Sequence, residues 1–222
     1  MKRTLFKTGD GSFTLQIPEW NEQYHSKHGA VAEALHVFIK EGFQYYTTSQ
    51  NLDKISILEI GFGTGLNCFL TFLENKNNPI RVQYTGIEAF PLEFLEVQSL
   101  NFPSLLKSSE VPFLKMHNIP WEEQSSIDSH FQLTKLKRRF SEINSEDEFD
   151  LIYFDAFGIR VQPELWTEEI FKLMYKALKP GGVLVTYAAN GSAKRALISV
   201  GFEVDRIPGP PGKREMMRAY KR

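Results

Sequence analysis

The chain contains a single cysteine, Cys68, among its 222 residues. One thiol excludes an intrachain disulfide and a cysteine-cluster metal site, and it suits a reducing compartment. An excess of either charge is also missing, since 26 Lys and Arg stand against 27 Asp and Glu. Without a strongly basic field, any contact with nucleic acid has to rest on local patches. Long apolar runs are absent too: the uncharged stretch at residues 60–73 is broken by glycines and falls short of the roughly 18 apolar residues that span a membrane. The basic start Met1-Lys2-Arg3 leads to Gly9-Asp10-Gly11-Ser12 with no apolar stretch of signal-peptide length. A cytoplasmic protein without a membrane partner is expected. With only 15 Gly and 11 Pro the composition is that of a folded chain, and the length admits one domain with a modest extension.

What is present is a change of period along the chain. Phe13, Leu15 and Ile17 alternate as in a strand after a turn at Asp10-Gly11, which predicts a small β-hairpin. From His28 the spacing becomes helical, with Val31, Ala34, Leu35, Phe38 and Ile39 on one face and Gly42 placed to stop the helix. Residues 1–50 are therefore expected to form a hairpin-and-helix extension and residues 51–222 the main domain. In that domain, strand-like runs at 55–60, 82–88, 149–155 and 183–187 alternate with helical stretches at 66–74, from Pro91, at 163–178 and at 192–200. Such alternation implies α/β architecture with a mostly parallel sheet. The runs at 203–207 and 215–220, joined by Pro208-Gly209-Pro210-Pro211-Gly212, suit an antiparallel hairpin at one edge. Residues 101–148, interrupted by Pro103, Pro112 and Pro120, are expected to hold one strand and one helix. By fold analogy this is the Rossmann-like class I methyltransferase arrangement.

The most informative segment is Glu59-Ile60-Gly61-Phe62-Gly63-Thr64-Gly65. Glycines between a strand end and a helix start let the backbone turn sharply and let a ligand approach without meeting a Cβ atom. A dinucleotide loop would need a sixth-position glycine, where this chain has Leu66, and Glu59 sets a negative charge near the loop. S-adenosylmethionine carries a sulfonium and an amino-acid tail instead of a pyrophosphate, so an acid ahead of the glycines suits it. Glu88, at the end of the next strand, is placed to accept both ribose hydroxyls. Glu59, Gly61, Phe62, Gly63, Thr64, Gly65 and Glu88 are thus candidate cofactor-binding residues.

Asp155 closes the apolar run 151–154, at the strand end where open α/β sheets present ligands. It is either a cap for the following segment or a group that faces the methyl donor and orients an amine nucleophile, which must be neutral to attack. Trp166 is either core or a stacking platform. Two basic clusters offer phosphate contacts: Lys135, Lys137, Arg138 and Arg139, and the tail Lys213, Arg214, Arg218, Lys221 and Arg222. Glu142, Glu146, Asp147 and Glu148 follow the first closely, which leaves the tail as the better candidate, with Glu215 placed to hold one of its cations. His25 and His28 read as surface or capping groups, and no metal site is expected.

Several blocks together resemble a known family. They are Asp10-Gly11-Ser12, Tyr24-His25-Ser26 with Gly29 and Glu33, Glu59 through Asn67, Glu88-Ala89-Phe90-Pro91-Leu92, Phe154-Asp155-Ala156-Phe157, Pro163-Glu164-Leu165-Trp166-Thr167 and Lys213-Arg214-Glu215-Met216. The chain is similar over residues 9–220 to the bacterial tRNA wobble-uridine methyltransferases that convert 5-aminomethyl-2-thiouridine into 5-methylaminomethyl-2-thiouridine. The resemblance implies an S-adenosylmethionine-dependent N-methyltransferase with tRNA as partner, Asp155 as the catalytic and cofactor-facing carboxylate, and Asn67 beside the cofactor. It places Tyr24, Ser26, Lys213 and Arg214 on the substrate side. Where the family has a small residue, a proline and a lysine, this chain has Gly158-Ile159-Arg160-Val161-Gln162, which makes Arg160 the candidate replacement. The acid expected near the adenine is not evident around residues 131–135. Some relatives carry a fused flavin oxidase domain for which this chain is too short.

Three other readings compete with this one. An N-methyltransferase acting on a small-molecule or protein amine is motivated by the altered 158–162 segment. A dinucleotide oxidoreductase is disfavoured by Leu66. A non-catalytic RNA-binding protein is disfavoured by the retention of Glu59, Glu88 and Asp155.

Overall fold

The computed structural model describes residues 2–48, 52–77 and 79–222. The expected boundary between residues 50 and 51 lies outside the described residues. The N-terminal hairpin forms as the alternation predicts: β1 (Thr4–Lys7) pairs antiparallel with β2 (Phe13–Ile17), and β3 (Glu22–Gln23) adds to the free edge of β2. Asp10 does more than turn the chain. Its carboxylate accepts the Ala32 N–H at 3.0 Å, where α1 (Ala30–Ala34) begins, and a Cβ at Gly29 would stand 2.7 Å from that carboxylate. The hairpin turn thereby caps the helix, placing a negative charge at its N-terminus.

The helix does not stop at Gly42. It continues through a π-helical stretch, Leu35–Gln44, into α2 (Tyr45–Thr48). Gly42 is there because the helix lies so close to the sheet that a Cβ would come within 3.1 Å of both Tyr153 and Val185. The π-helical hydrogen bonding also shifts the apolar face, so that Val37, Phe38 and Ile39 are buried while Leu35, expected on that face, is 42% exposed.

The main sheet is built from β4 (Lys54–Ile60), β5 (Arg81–Ile87), β6 (Gln124–Ser126), β7 (Phe131–Leu136), β8 (Phe149–Phe154), β9 (Leu178–Thr186), β10 (Glu203–Pro208) and β11 (Glu215–Tyr220). Its order is β10-β11-β9-β8-β4-β5-β7-β6. The strands from β9 to β7 run parallel, and β10-β11 form the expected antiparallel hairpin at one edge. At the other edge β6 is antiparallel to β7. Helices α3 (Leu66–Asn75), α4 (Phe94–Gln98), α5 (Phe102–Leu105), α6 (Glu110–Asn118), α7 (Glu168–Ala177) and α8 (Gly191–Ser199) complete the fold. The 101–148 region therefore holds two helices and two strands rather than one of each. The helix expected from Pro91 starts at Phe94, after a reciprocal Glu93–Glu96 capping box.

Alternate strand residues feed two cores. Ile55, Ile57, Tyr84, Leu151 and Tyr153 pack under the N-terminal helix and α3, whereas Leu58, Ile60, Ile152, Phe154 and Leu184 pack under α7 and α8. Glu59 falls on the first side by the same alternation, where it is fully buried. The chain runs outward from β4 to β5 and β7, then returns to place β8 on the opposite side of β4. The carboxyl ends of β4 and β8 thus flank a topological switch point, where open α/β sheets form their ligand crevice.

Candidate cofactor and substrate site

A cavity of about 850 Å³ opens at that switch point, large enough for a nucleoside-sized ligand and part of a second molecule. Its floor is the glycine loop after β4. Gly61, Gly63 and Gly65 have φ of +91°, +48° and +70°, a region that favours residues without a Cβ. A Cβ on Gly61 would stand 2.7 Å from the Asp155 carbonyl, so the loop can pass across the end of β8 only with glycine there. The Phe62 ring fills the space left by Gly86, where a Cβ would come within 2.4 Å of it.

Glu88 follows β5, and its carboxylate is oriented by the backbone. One oxygen accepts the Gly63 N–H at 3.0 Å and the other the Phe90 N–H at 2.9 Å. Each oxygen retains a lone pair, so the pair can receive two further donors on the cavity side.

Asn67, in the first turn of α3, joins two carboxylates. Its amide nitrogen donates to Glu59 Oε1 at 2.9 Å and to Asp155 Oδ2 at 2.8 Å. Burial pushes the Glu59 carboxyl well above the usual carboxylate range, the charge of Asp155 adds to this, and the Asn67 bond opposes it. Glu59 does not line the cavity; it accepts from Asn67 behind the wall, a different place from the one its charge suggested. Burial likewise raises Asp155, to about 7, with Asn67 pulling down, Glu33 pushing up and Lys213 pulling down. The buried Asn67 Oδ1 has no partner among the described residues, which leaves an acceptor for a donor on a bound molecule.

The opposite wall comes from distant segments. Tyr24 lies against Gly63, and its hydroxyl accepts from Arg3 Nε at 2.8 Å. His25 is half-buried and not a free surface group: its ring joins Thr14 Oγ1, at 2.6 Å, to Thr64 Oγ1, at 3.2 Å, and desolvation holds its pKa down at about 4. A neutral imidazole thus ties the N-terminal hairpin to the glycine loop. Ser26 donates its backbone N–H to Glu33 at 3.1 Å. Arg160 lines the mouth and pairs with Glu22. Trp166 is core, with its ring buried and its Nε1 donating to the Phe157 carbonyl at 2.8 Å.

The tail cluster is not a continuous basic face. Lys213 turns into the cavity and pairs with Glu33, Arg218 pairs with Glu41, Lys221 with Asp147 and Arg222 with Glu203. Arg214 is exposed and makes no ion pair among the described residues, while Glu215 engages Arg206 and neither Lys213 nor Arg214. In the other cluster Lys135 is buried, donating to the His117 carbonyl, Arg138 pairs with Glu122, and Arg139 lines the cavity and makes no ion pair among the described residues.

Of the residues singled out from sequence, Tyr24, Ser26, Gly61, Phe62, Gly63, Thr64, Asn67, Glu88, Asp155, Arg160 and Lys213 share this cavity, whereas Glu59, Gly65 and Arg214 do not line it. Glu33, Arg139 and Tyr187 line it without having been assigned a role there. Tyr187 directly follows β9 as Glu88 follows β5 and Asp155 follows β8, so the strand-end rule applied uniformly would have found it. Among the described residues no helix is long and apolar enough to cross a membrane.

Several known proteins are similar to this chain. The chain is 28% identical over 221 residues to an uncharacterized protein of Methanocaldococcus jannaschii, covering 99% of this chain and 60% of that one. It is 26% identical over 216 residues to the tRNA 5-methylaminomethyl-2-thiouridine biosynthesis bifunctional protein MnmC of Stutzerimonas stutzeri, covering 92% of this chain and 33% of the relative. The chain thus spans less than two thirds of the length of either relative. The crystal structure of MNMC2 from Aquifex aeolicus superposes with a TM-score of 0.80 at 25% identity, over 100% of this chain and 70% of that one. The family model described as S-adenosyl-L-methionine-dependent methyltransferase matches residues 104–222, more than half of the sequence, and the chain belongs to that family.

Proposed function

We propose that this protein methylates the primary amine of 5-aminomethyluridine, in its 2-thio or 2-oxo form, at the wobble position of tRNA. The observation that carries the reading is Asp155, held by Asn67 at the meeting point of the glycine loop and the substrate wall. The activity named for the relatives supports the choice of substrate.

Glu88 would hold the ribose hydroxyls, Asn67 Oδ1 would accept from a cofactor donor, and the loop from Gly61 to Gly65 would let the cofactor lie against bare backbone. When bound, S-adenosylmethionine supplies an electrophilic methyl on a positively charged sulfur. Asp155 would accept a proton from the substrate ammonium, directly or through water, leaving the nitrogen neutral and nucleophilic toward the methyl that the cofactor would give up from its sulfur. Positioning contributes most of the remaining acceleration. Arg139, which lines the cavity, and Arg214, adjacent in sequence to Lys213, make no ion pair among the described residues and are proposed to meet RNA phosphates. The pairing of the other tail cations favours a second reading, a smaller amine substrate.

The test is incubation of the protein with methyl-labelled S-adenosylmethionine and anticodon stem-loops bearing 5-aminomethyluridine, 5-hydroxymethyluridine or uridine at the wobble site. Label in the aminomethyl RNA alone is expected. Label in none of them, together with methylation of a free amine, would replace this reading with the second.

A further inference from the structure

The inner end of the cavity is built around a cation that belongs to the protein itself. Lys213 Nζ lies 3.8 Å from the centroid of the Tyr187 ring and bonds to Glu33 Oε1. Glu33 is 8% exposed, and its second oxygen is fixed by the Ser26 N–H. The Tyr187 hydroxyl donates to the Ala156 carbonyl at 2.8 Å, which locks the ring in place. Asp155 is close enough to both Glu33 and Lys213 for their charges to act on it. One carboxylate and the face of an aromatic ring therefore converge on one ammonium, and both features recognise cations. Lys213 sits on the Gly209 to Arg214 connection between β10 and β11, outside the regular strands, and its side chain is one-third exposed.

A substrate amine of the kind proposed above is itself an ammonium in neutral water, chemically equivalent to the end of a lysine side chain. We infer that Glu33 and the Tyr187 ring form the recognition subsite for the substrate's primary ammonium, and that Lys213 occupies this subsite as an internal stand-in which withdraws when substrate enters. The inference rests on the amine-methyltransferase reading and adds to it the residues that select an amine over an alcohol. It also reverses the sign expected at Lys213, because removing an internal competitor strengthens amine binding, whereas removing a substrate contact weakens it.

The experiment is an NMR titration of the protein, saturated with S-adenosylhomocysteine, by benzylammonium and separately by benzyl alcohol. Preference for the ammonium of about tenfold or more is expected from one ion pair and one ring contact. Glu33→Gln and Tyr187→Leu should abolish most of that preference, Tyr187→Phe should retain it, and Lys213→Met should tighten ammonium binding. S-adenosylhomocysteine affinity, measured on each variant, reports whether the fold and cofactor side are intact. Equal binding of the two probes, binding of neither, or weaker ammonium binding in Lys213→Met would overturn the proposal. The RNA assay fails separately: preference for ammonium without methylation of aminomethyl RNA keeps the subsite and refutes the wobble reading, and methylation without preference does the reverse.

Discussion

The two walls of the cavity are constructed differently. The proposed cofactor wall is made from residues 61–67 and 86–88, and backbone geometry fixes it: three glycines at positive φ, and a Glu88 carboxylate held by two N–H groups. The proposed substrate wall draws on Tyr24, Glu33, Arg160, Tyr187 and Lys213, five separate segments held largely by side-chain ion pairs and ring contacts. Backbone positioning gives a preorganised wall whose ligand is common to many reactions. Side-chain pairs can exchange partners, which is what a wall needs if it must admit and release a bulky substrate. Asp155 and Asn67 stand on the line between them.

The sharpest break in this comparison comes from Asp155→Asn. The asparagine can still accept from Asn67, so cofactor affinity and melting temperature should stay near wild type while the single-turnover rate falls by about a hundredfold or more. The pH profile adds a signature. With its pKa raised to about 7, Asp155 is protonated below that value and unable to accept a proton, so the wild-type rate should climb as pH rises through about 7. The limb should vanish in Asp155→Asn, and its persistence there would assign the titration to another group.

Glu88→Ala tests the cofactor wall by itself. Loss of the acceptor should weaken S-adenosylhomocysteine binding by about tenfold or more in calorimetry, equivalent to roughly 1.5–3 kcal/mol for hydrogen bonds to a charged group. The rate at saturating cofactor should change far less. A large rate defect with normal affinity would place Glu88 on the wrong wall.

His25 joins the walls, and its effect should appear in stability. Burial holds His25 and His117 at about 4, below the roughly 6.5 of an unfolded chain. Between those values the unfolded state binds the extra protons, so stability is full above about 6.5 and is lost as pH falls toward 4. Melting temperature against pH should show this decline, and His25→Gln should make it shallower.

The smallest effect is expected at Arg214, which is exposed and unpaired among the described residues. Arg214→Ala should reduce the slope of log affinity for tRNA against log salt by about one, leaving cofactor binding unchanged. An unaltered slope would remove Arg214 from the RNA surface.

How much of this was legible in the sequence follows the same division. Gly61 through Thr64, Glu88 and Asp155 could be placed at one cavity because strand, loop and helix are contiguous and strand ends point at the crevice, whereas Glu59 lies behind that wall. The β10-β11 hairpin was readable from the short Pro-Gly connection. Gly42 misled because a glycine required for close helix–sheet packing looks the same in sequence as one that ends a helix. Leu35 misled because a π-helical stretch breaks the 3.6-residue period. The partners of Lys213 and Arg218 were hidden for another reason. Both carboxylates, Glu33 and Glu41, lie about 180 positions earlier in the chain, and no local pattern reports a pair formed only by tertiary folding. His25 was hidden likewise, since its ring bonds to Thr14 and Thr64 form only on folding.

The most direct test of the central claim is mass spectrometry of wobble nucleosides in tRNA from cells lacking this protein, with and without a plasmid copy. The account predicts that 5-aminomethyl nucleosides accumulate and their methylaminomethyl products disappear, that the wild-type copy restores the products, and that an Asp155→Asn copy does not. Unchanged wobble nucleosides in the deletion strain, or full restoration by Asp155→Asn, would contradict it.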